Sequence, residues 1–442
     1  MRSTLFFIPH EFAGMTVFGF GWLLIALAVG CLCWMGVTTW RIGRQSLAGK
    51  KTDLTAEIIG GLPIWGVAAA LVVFVLPNIE QAAMVQGESP IILGLPIRGY
   101  GVLVLIGLLS GIGITIHRGR SLGISPDLII SLGFWMMLGG VLGARIFYVV
   151  QKWDEFSDKA LGDRLLAIVK LTEGGLVIYG GMIGGIVAAM VFCYKHRQPI
   201  RAMGDLVAPA FLIGLAFGRI GCLMNGCCFG GICTENLPTI QFPQGSGPYW
   251  VQLKSGRLLG IELAEHSNYD EARVNQVVPG SLADEAGIQP GSKVEEIQVS
   301  DAPFDPASDP AAPSKVNAIV RLDKEMIGFS SEQLPARSLP VHPSQIYAAI
   351  SAALLCWLIW CIQPLPSRDG MAFLIAVLLS AGSRFLEEGI RSDESGQLGT
   401  SLSIGQWISL IAAVTAIVLI LLLRKTTPYR AWDWSGGSVS NG

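Results

Sequence analysis

The chain has 442 residues, 51% hydrophobic and only 14% charged, with a formal net charge of −2. An ordinary soluble domain is about 25% charged, so this composition excludes a soluble globular class and points to a membrane protein. The charge balance shows no basic tail, and no nucleic-acid motif is present, so a nucleic-acid partner is excluded as well.

A bilayer core about 30 Å thick takes about 20 apolar residues in a helix, and the first such run falls near residues 17–40. It is longer than the apolar part of a cleaved signal, with no small-residue cleavage site before the basic segment that follows, so a retained anchor helix is expected. Further runs lie near 56–77, 98–117, 127–150, 174–194, 205–224, 344–363, 370–390 and 403–423, which makes nine predicted spans. Positive residues gather in alternate short loops: Arg41, Arg44, Lys50 and Lys51; Arg118 and Arg120; Lys195, Arg197 and Arg201; Arg368; and Arg424, Lys425 and Arg430. By the positive-inside rule these loops are cytoplasmic, which puts the N-terminus outside and the C-terminal tail, 426–442, in the cytoplasm.

Within the fifth run, "EGGLVIYGGMIGGIVAAM" is dense in glycine, and small residues four apart let membrane helices approach closely. Tyr179 is the only strongly polar side chain between its two glycine pairs, better suited to donate a hydrogen bond than to accept a proton because a phenol titrates near pH 10. The sixth run ends in "GRIGCLMNGCCFG". Arg219 lies in its final turns and Arg384 well inside the eighth run, in "AGSRFLEEGIR". An arginine at membrane depth is a functional hypothesis by default. Its guanidinium cannot shed its proton, and its planar fork suits a phosphate or carboxylate held bidentately, so two of them facing one cavity would bind a phospholipid head group. Glu388, four residues after Arg384, is placed to pair with it on one helix face, and Arg391 sits a turn further on. The bland alternative is a set of intramembrane ion pairs that only fix helix packing.

Cys222, Cys227, Cys228 and Cys233 follow the spacing C-x4-C-C-x4-C on the face expected to be oxidising. Structural disulfide or packing, a redox relay and a metal site all stay open. A zinc knuckle more usually shows C-x2-C pairs and no histidine is near, so no metal is assigned. The polar insertion that follows, with its Pro/Ala/Asp linker "DAPFDPASDPAAPS", is predicted as a separate piece outside the membrane. Within it, "RLLGIELAEH" and "VNQVVPGSLADEAGIQPGSKVEEIQV" resemble a PDZ domain, in which Leu259, Gly260 and Ile261 would offer backbone N–H groups to a peptide C-terminus. Beyond it, "SLPVHPSQIYAAI" enters the seventh run with His342, Ser344 and Gln345 around the favoured first-turn Pro343. "SLSIGQWISL" enters the ninth similarly, with Gln406 just inside. There is no H-E-x-x-H, which argues against an intramembrane metalloprotease.

Taken in order, "RGYGVLVLIG", "GGLVIYGGMIGGI", "GDLVAPAFLIGLAFGRIGCLMNGCCFG", "HPSQIY", "SRFLEEGIR" and "SIGQ" resemble the motifs of the bacterial prolipoprotein diacylglyceryl transferases, from about Tyr100 to Arg424. The resemblance implies transfer of diacylglycerol from phosphatidylglycerol to the lipobox cysteine thiol of a preprolipoprotein signal peptide. A thioether forms, glycerol 1-phosphate leaves, and no cofactor is involved. It implies a bacterial inner-membrane location and a seven-helix core, to which this chain adds two N-terminal spans. The expected fold is therefore an all-α polytopic membrane protein of about nine transmembrane helices, with a small α/β or mostly-β PDZ-like insertion outside the membrane.

The expected organisation is 1–97 extra N-terminal helices, 98–232 first part of the core, 233–340 insertion and linker, 341–425 second part of the core, and 426–442 tail. The family's signature arginine falls on Arg219 and its second essential arginine on Arg384, while Tyr100, Asn225, Gly230, Glu388 and Arg391 fall on other motif positions. His342, Gln345 and Gln406 join them as expected lipid-site residues. The family's usual "FHGG" histidine is replaced by Tyr179, its asparagine after "GR-x-G" by Cys222, and its acidic residue after "NG" by Cys227. The base that takes the thiol proton is left open. The rival readings are a membrane thiol oxidoreductase using the cysteine cluster and a non-catalytic lipid- or peptide-binding scaffold.

Overall fold

The computed structural model describes residues 3–47, 54–83, 91–158, 160–169, 175–233, 237–263, 273–302, 309–310, 314–322, 325–391 and 399–434. The chain divides into two units, residues 2–98 with 302–314, and 99–301 with 315–442. Among the described residues seven helices are long and apolar enough to cross a membrane. The protein is a polytopic, mostly helical membrane protein with small sheets.

The first unit holds β1 (Thr4–Ile8), β2 (Glu11–Phe12), β3 (Met15–Thr16), α1 (Trp22–Leu47), α2 (Leu54–Ala70), β4 (Gln81–Ala83) and β5 (Ile91–Arg98). Of its two expected spans, α1 contains a full crossing length at Trp22–Arg44. The other differs from the expectation. α2 carries Pro63 in its interior and gives way to a π turn at Leu71–Val75 and a 3-10 turn at Leu76–Ile79, where Pro77, lacking an N–H, falls in the favoured first turn. Hydropathy also passed over a three-stranded antiparallel sheet, ordered β1-β5-β4. His10 Nδ1 lies 2.7 Å from the Glu80 carboxylate and ties the two ends of this unit's helical segment.

The second unit begins with α3 (Gly99–Ser121), α4 (Pro126–Gln151), α5 (Asp154–Ser157), α6 (Leu161–Val169), α7 (Ile178–Lys195) and α8 (Ile200–Asn225). α3 packs on α8, and α4 on α7. The second pairing is close enough to need glycine. A Cβ on Gly184 of α7 would stand 2.9 Å from the Gly143 Cα of α4 and closer still to the Gly139 carbonyl, so the two backbones touch directly. Arg145 of α4 is buried and donates to the carbonyls of Ala167 at 2.6 Å, Ile168 at 2.8 Å and Gly175 at 3.2 Å, which satisfies the open C-terminal end of α6.

The insertion follows, with α9 (Gly247–Lys254), β6 (Ile261–Leu263), β7 (Val274–Val277), α10 (Leu282–Glu285), β8 (Val294–Asp301), β9 (Val316–Leu322) and β10 (Met326–Phe329). β6 pairs with β7, and β8, β9 and β10 form an antiparallel sheet. Tyr249, Leu253, Leu259, Ile261, Val316 and Val320 build its own apolar core. The chain then returns through α11 (Ser344–Ile362), α12 (Met371–Glu388) and α13 (Ile404–Arg424). α12 stands apart from the seven apolar helices because Arg384, Glu387 and Glu388 put three charges into its last turns, yet it packs against α8, α11 and α13.

Gly184→Ala is expected to destabilise the detergent-solubilised protein by about 1–3 kcal/mol, the usual range for forcing a methyl into a packed contact. Gly113→Ala, whose added Cβ meets nothing within 4 Å, is the control. Equal thermal midpoints for the two variants would contradict the backbone contact between α4 and α7.

Candidate active site

Arg219 and Arg384 sit on α8 and α12, and two sets of contacts fix how those helices lie. At one end Asp205, fully buried near the start of α8, accepts hydrogen bonds from the backbone N–H groups of Gly370 at 2.7 Å and Phe373 at 2.8 Å. It thereby caps the N-terminus of α12 from a neighbouring helix, satisfying donors that have no partner within a helix. At the other end the loop leaving α8 meets the end of α12: Gly231 N–H donates to the Ile390 carbonyl at 3.0 Å, and Gly230 bridges Arg391. Tied at both ends, the two helices run parallel.

Arg219 lies 14 residues after Asp205, and Arg384 lies 14 residues after Gly370. At 1.5 Å per residue each backbone position stands about 21 Å along its helix from the shared cap, so the two Cα atoms lie at a similar level. Both are half-buried, and neither has a hydrogen bond or ion pair among the described residues.

Nearly every other polar group around them is already engaged. Glu388 is buried and pairs with Arg391 at 3.1 Å rather than with Arg384, and its carboxylate lies against Gly405 at the start of α13. Gln406 serves a capping box: Ser403 N–H donates to its side-chain oxygen at 3.0 Å, while the Ser403 hydroxyl accepts from Gln406 N–H at 3.2 Å. Gln345 is fully buried and donates to the Cys227 carbonyl at 2.8 Å, with Ser344 donating to the Cys228 carbonyl at 2.7 Å. Gly230 N–H donates to the His342 carbonyl at 3.1 Å, and a Cβ at Gly230 would stand 2.6 Å from the His342 Cβ. These residues hold the loop after α8 in place, while the His342 side chain stays half-exposed.

Tyr100, at the start of α3, packs its ring on Gly221 and lies within electrostatic reach of Arg219, Cys222, Cys227 and Cys228. Asn225 is exposed at the last residue of α8. Tyr179 lies in the first turn of α7, half-buried, with no hydrogen bond to Arg219 or Arg384.

The cysteines form no disulfide: all nine are free. The sulfur atoms of Cys222, Cys227 and Cys228 nevertheless lie within 4.8 Å of one another, and Cys233 lies outside that group. In the insertion, the loop expected to receive a peptide C-terminus is closed on itself. The Leu259 and Ile261 N–H groups donate to the Gly256 carbonyl, at 2.9 and 3.0 Å, and Gly260 N–H donates to the Arg257 carbonyl at 3.2 Å.

Three residues that the sequence reading passed over contribute here. Asp205 and Arg145 were each a single charge inside an apolar run, the same signal that singled out Arg219. Glu387 was hidden beside Glu388. Its carboxylate accepts from Ser351 at 2.5 Å and Ser383 at 2.7 Å, which joins α12 to α11 one turn from Arg384.

The fold defines a polytopic membrane protein, with two arginines on neighbouring helices that have no hydrogen bond or ion pair among the described residues. Residues 90–422 match the family model for prolipoprotein diacylglyceryl transferase, and the chain belongs to that family. It is similar to the phosphatidylglycerol–prolipoprotein diacylglyceryl transferase of Rhodopirellula baltica, with 34% identity over 100% of this chain and 93% of that protein. The enzyme of the same name from Clostridium tetani is 24% identical over 75% of this chain and 95% of its own length. A third, from Trichormus variabilis, is 36% identical over 32% of this chain and 48% of its own.

Asp205→Ala is expected to cost about 3–5 kcal/mol, the range for removing one member of a buried charged cluster, because it uncaps α12 and leaves Arg430, 3.9 Å away, without one of its two carboxylates. Thermal unfolding in detergent reads this loss. A midpoint equal to wild type would show that the cap does not hold α12.

Proposed function

We propose that this chain transfers the diacylglyceryl group of phosphatidylglycerol to the lipobox cysteine thiol of a preprolipoprotein. The observation that carries the reading is the pair of arginines, Arg219 and Arg384, at similar levels on two parallel helices and with no hydrogen bond or ion pair among the described residues. A cation partly withdrawn from water gains from a counter-ion, and in this reading the lipid phosphate supplies it.

The chemistry follows from the bonds involved. The substrate thiol loses a proton and its sulfur attacks the glyceryl carbon that carries the phosphate ester. The C–O bond breaks as the C–S bond forms, and glycerol 1-phosphate leaves with the electron pair on its phosphate oxygen. Negative charge builds on that phosphate, and two fixed guanidinium donors favour the charged product side over the starting ester. Tyr179 is assigned to orient the lipid through its hydroxyl rather than to take the proton, a phenol being a better hydrogen-bond donor than a base. Tyr100, Asn225 and the His342 side chain line the approach. Gly230, Gln345, Glu388, Arg391 and Gln406 act through the backbone and helix ends that they hold.

The same reading sets the organisation in the membrane. α12 crosses as the seven apolar helices do, being packed among α8, α11 and α13, and residues 54–79 make the ninth crossing through an irregular helix. The N-terminus faces out and the C-terminal tail lies in the cytoplasm, by the distribution of basic loops, in a bacterial inner membrane. The insertion is PDZ-like and stands outside, above the loop of residues 226–233. Its closed Leu259–Ile261 turn favours a covering role over capture of a peptide C-terminus.

In liposomes containing phosphatidylglycerol and a lipobox peptide, the wild type is expected to yield a thioether-linked product read by mass. Arg219→Ala and Arg384→Ala should each lower kcat by about 10²–10³-fold, the usual effect of removing one charge-stabilising donor. Lysine at either position should restore only part of the rate, because it cannot form the fork. No product from the wild type, on a peptide that another transferase of the family modifies, would sink the proposal.

A further inference from the structure

We propose that Cys222, Cys227 and Cys228 form a three-thiolate site for one soft d10 cation, Zn2+ or Cu+, beside Arg219. Their sulfur atoms lie within 4.8 Å of one another and are half-buried, reachable from outside but shielded by the surrounding loop. Zinc–sulfur bonds of about 2.3 Å put tetrahedral ligands roughly 3.8 Å apart, so this spacing closes around an ion with small side-chain adjustments. Among common cations, thiolates select zinc, cuprous ion and their heavier relatives over magnesium or calcium.

The cluster is built into the backbone. α8 ends in a Schellman motif: Gly226 takes the left-handed conformation at φ +71°, its N–H donates to the Leu223 carbonyl at 3.3 Å, and Cys227 N–H donates to the Cys222 carbonyl at 3.1 Å. In that motif the third residue from the helix end and the second residue beyond it come into side-chain contact, and those residues are Cys222 and Cys227. Cys228 then has φ +56°, an uncommon value for a residue with a Cβ. Gln345 and Ser344 hold the carbonyls of Cys227 and Cys228 from α11. The thiols are therefore positioned before any ligand arrives.

A disulfide accounts for this group less well. One S–S bond leaves the third thiol unused, and the adjacent pair Cys227 and Cys228 is poorly placed to bridge itself. Binding replaces three S–H bonds by three sulfur–metal bonds and releases three protons. The complex carries charge −1 with Zn2+ or −2 with Cu+. Arg219 lies three residues before Cys222 on the same helix, one turn from the cluster.

The test uses the reduced full-length protein in detergent, without lipid or peptide, so its outcome is independent of the transferase reading. Titration with Cd2+ is expected to give a thiolate-to-metal absorption band that saturates at one ion per chain. Zn2+ should displace it in one arm, and Cu+ delivered from a chelator in another; the arm that competes more strongly identifies the preferred ion. The band should disappear in Cys222→Ser and in Cys227→Ser and persist in Cys33→Ser and Cys361→Ser, with metal-free melting showing that the variants fold. A missing band in the reduced wild type, a band that survives in the Cys222→Ser/Cys227→Ser double variant, or an intact disulfide within the trio in protein isolated without reductant would each overturn the site.

Discussion

Asp205 shows how the membrane core is organised. Its carboxylate is fully buried and reaches from α8 to the first N–H groups of α12, a charge held where four helical donors would otherwise lack partners. Arg430 and Asp369 close the same cluster, and Gln363, also fully buried, donates to the Asp205 carbonyl at 2.7 Å. This end of the bundle is therefore locked in register and not merely in proximity. A one-residue slip of α12 would turn its side chains by about 100° and move them 1.5 Å along the axis, which would separate Arg384 from the depth of Arg219. The relative placement of Arg219 and Arg384 thus depends on an interaction about 21 Å away along both helices.

The opposite end is stabilised differently. There the chain leaves regular helix, and the loop of residues 226–233 has to find partners for its backbone groups without a ladder of its own. It finds them in the carbonyls of His342 and Ile390 and in the side chains of Ser344 and Gln345. Glu388 and Gln406 similarly complete helix ends. Most side chains at these helix ends are engaged within the protein, whereas Arg219 and Arg384 have no hydrogen bond or ion pair among the described residues. Had Glu388 paired with Arg384, as helix spacing alone allows, one of the two would have been neutralised. Its actual pairing with Arg391 keeps Arg384 available.

Hydropathy was sufficient for most of the spans because lipid-facing helices must be apolar along their length. It was less informative where function intrudes. α12 has three charges in its last turns and reads weakly as a crossing, and residues 54–79 read as a uniform run although Pro63 and Pro77 lie within it. The N-terminal sheet was invisible, since "TLFFI" and "IILGLPIR" are apolar strands that a hydropathy window cannot separate from helix. Arg219 and Arg384 stood out because a permanent charge in an apolar run has few structural excuses. Asp205 was the same kind of signal, but it sits near a helix start, where a carboxylate is commonplace. The grouping of the cysteines was not visible in linear spacing. C-x4-C looks unlike a metal pair until the glycine at position 226 is read as a helix stop, at which point the Schellman geometry brings its two ends together.

The insertion shows why a hundred residues can be added next to such a site without disturbing it. Its entering and leaving segments are paired, with Ile240 bridging Val341 and Pro243 bridging Arg337, and the Phe242 N–H donates to the Ser338 hydroxyl at 2.9 Å. Ends that close together allow a separately folded piece to be accommodated, because the chain geometry on the membrane side is set before the insertion begins. Its apolar core is its own, built from Tyr249, Leu259 and Val316 and not shared with Phe229 or Val341 of the neck. The neck itself is not separable from the site. Val341 pairs with both Ile232 and Ile240, and the next residue, His342, holds Gly230. The loop that follows Arg219 on α8 is therefore held by the paired neck, while the insertion beyond it packs on an apolar cluster of its own.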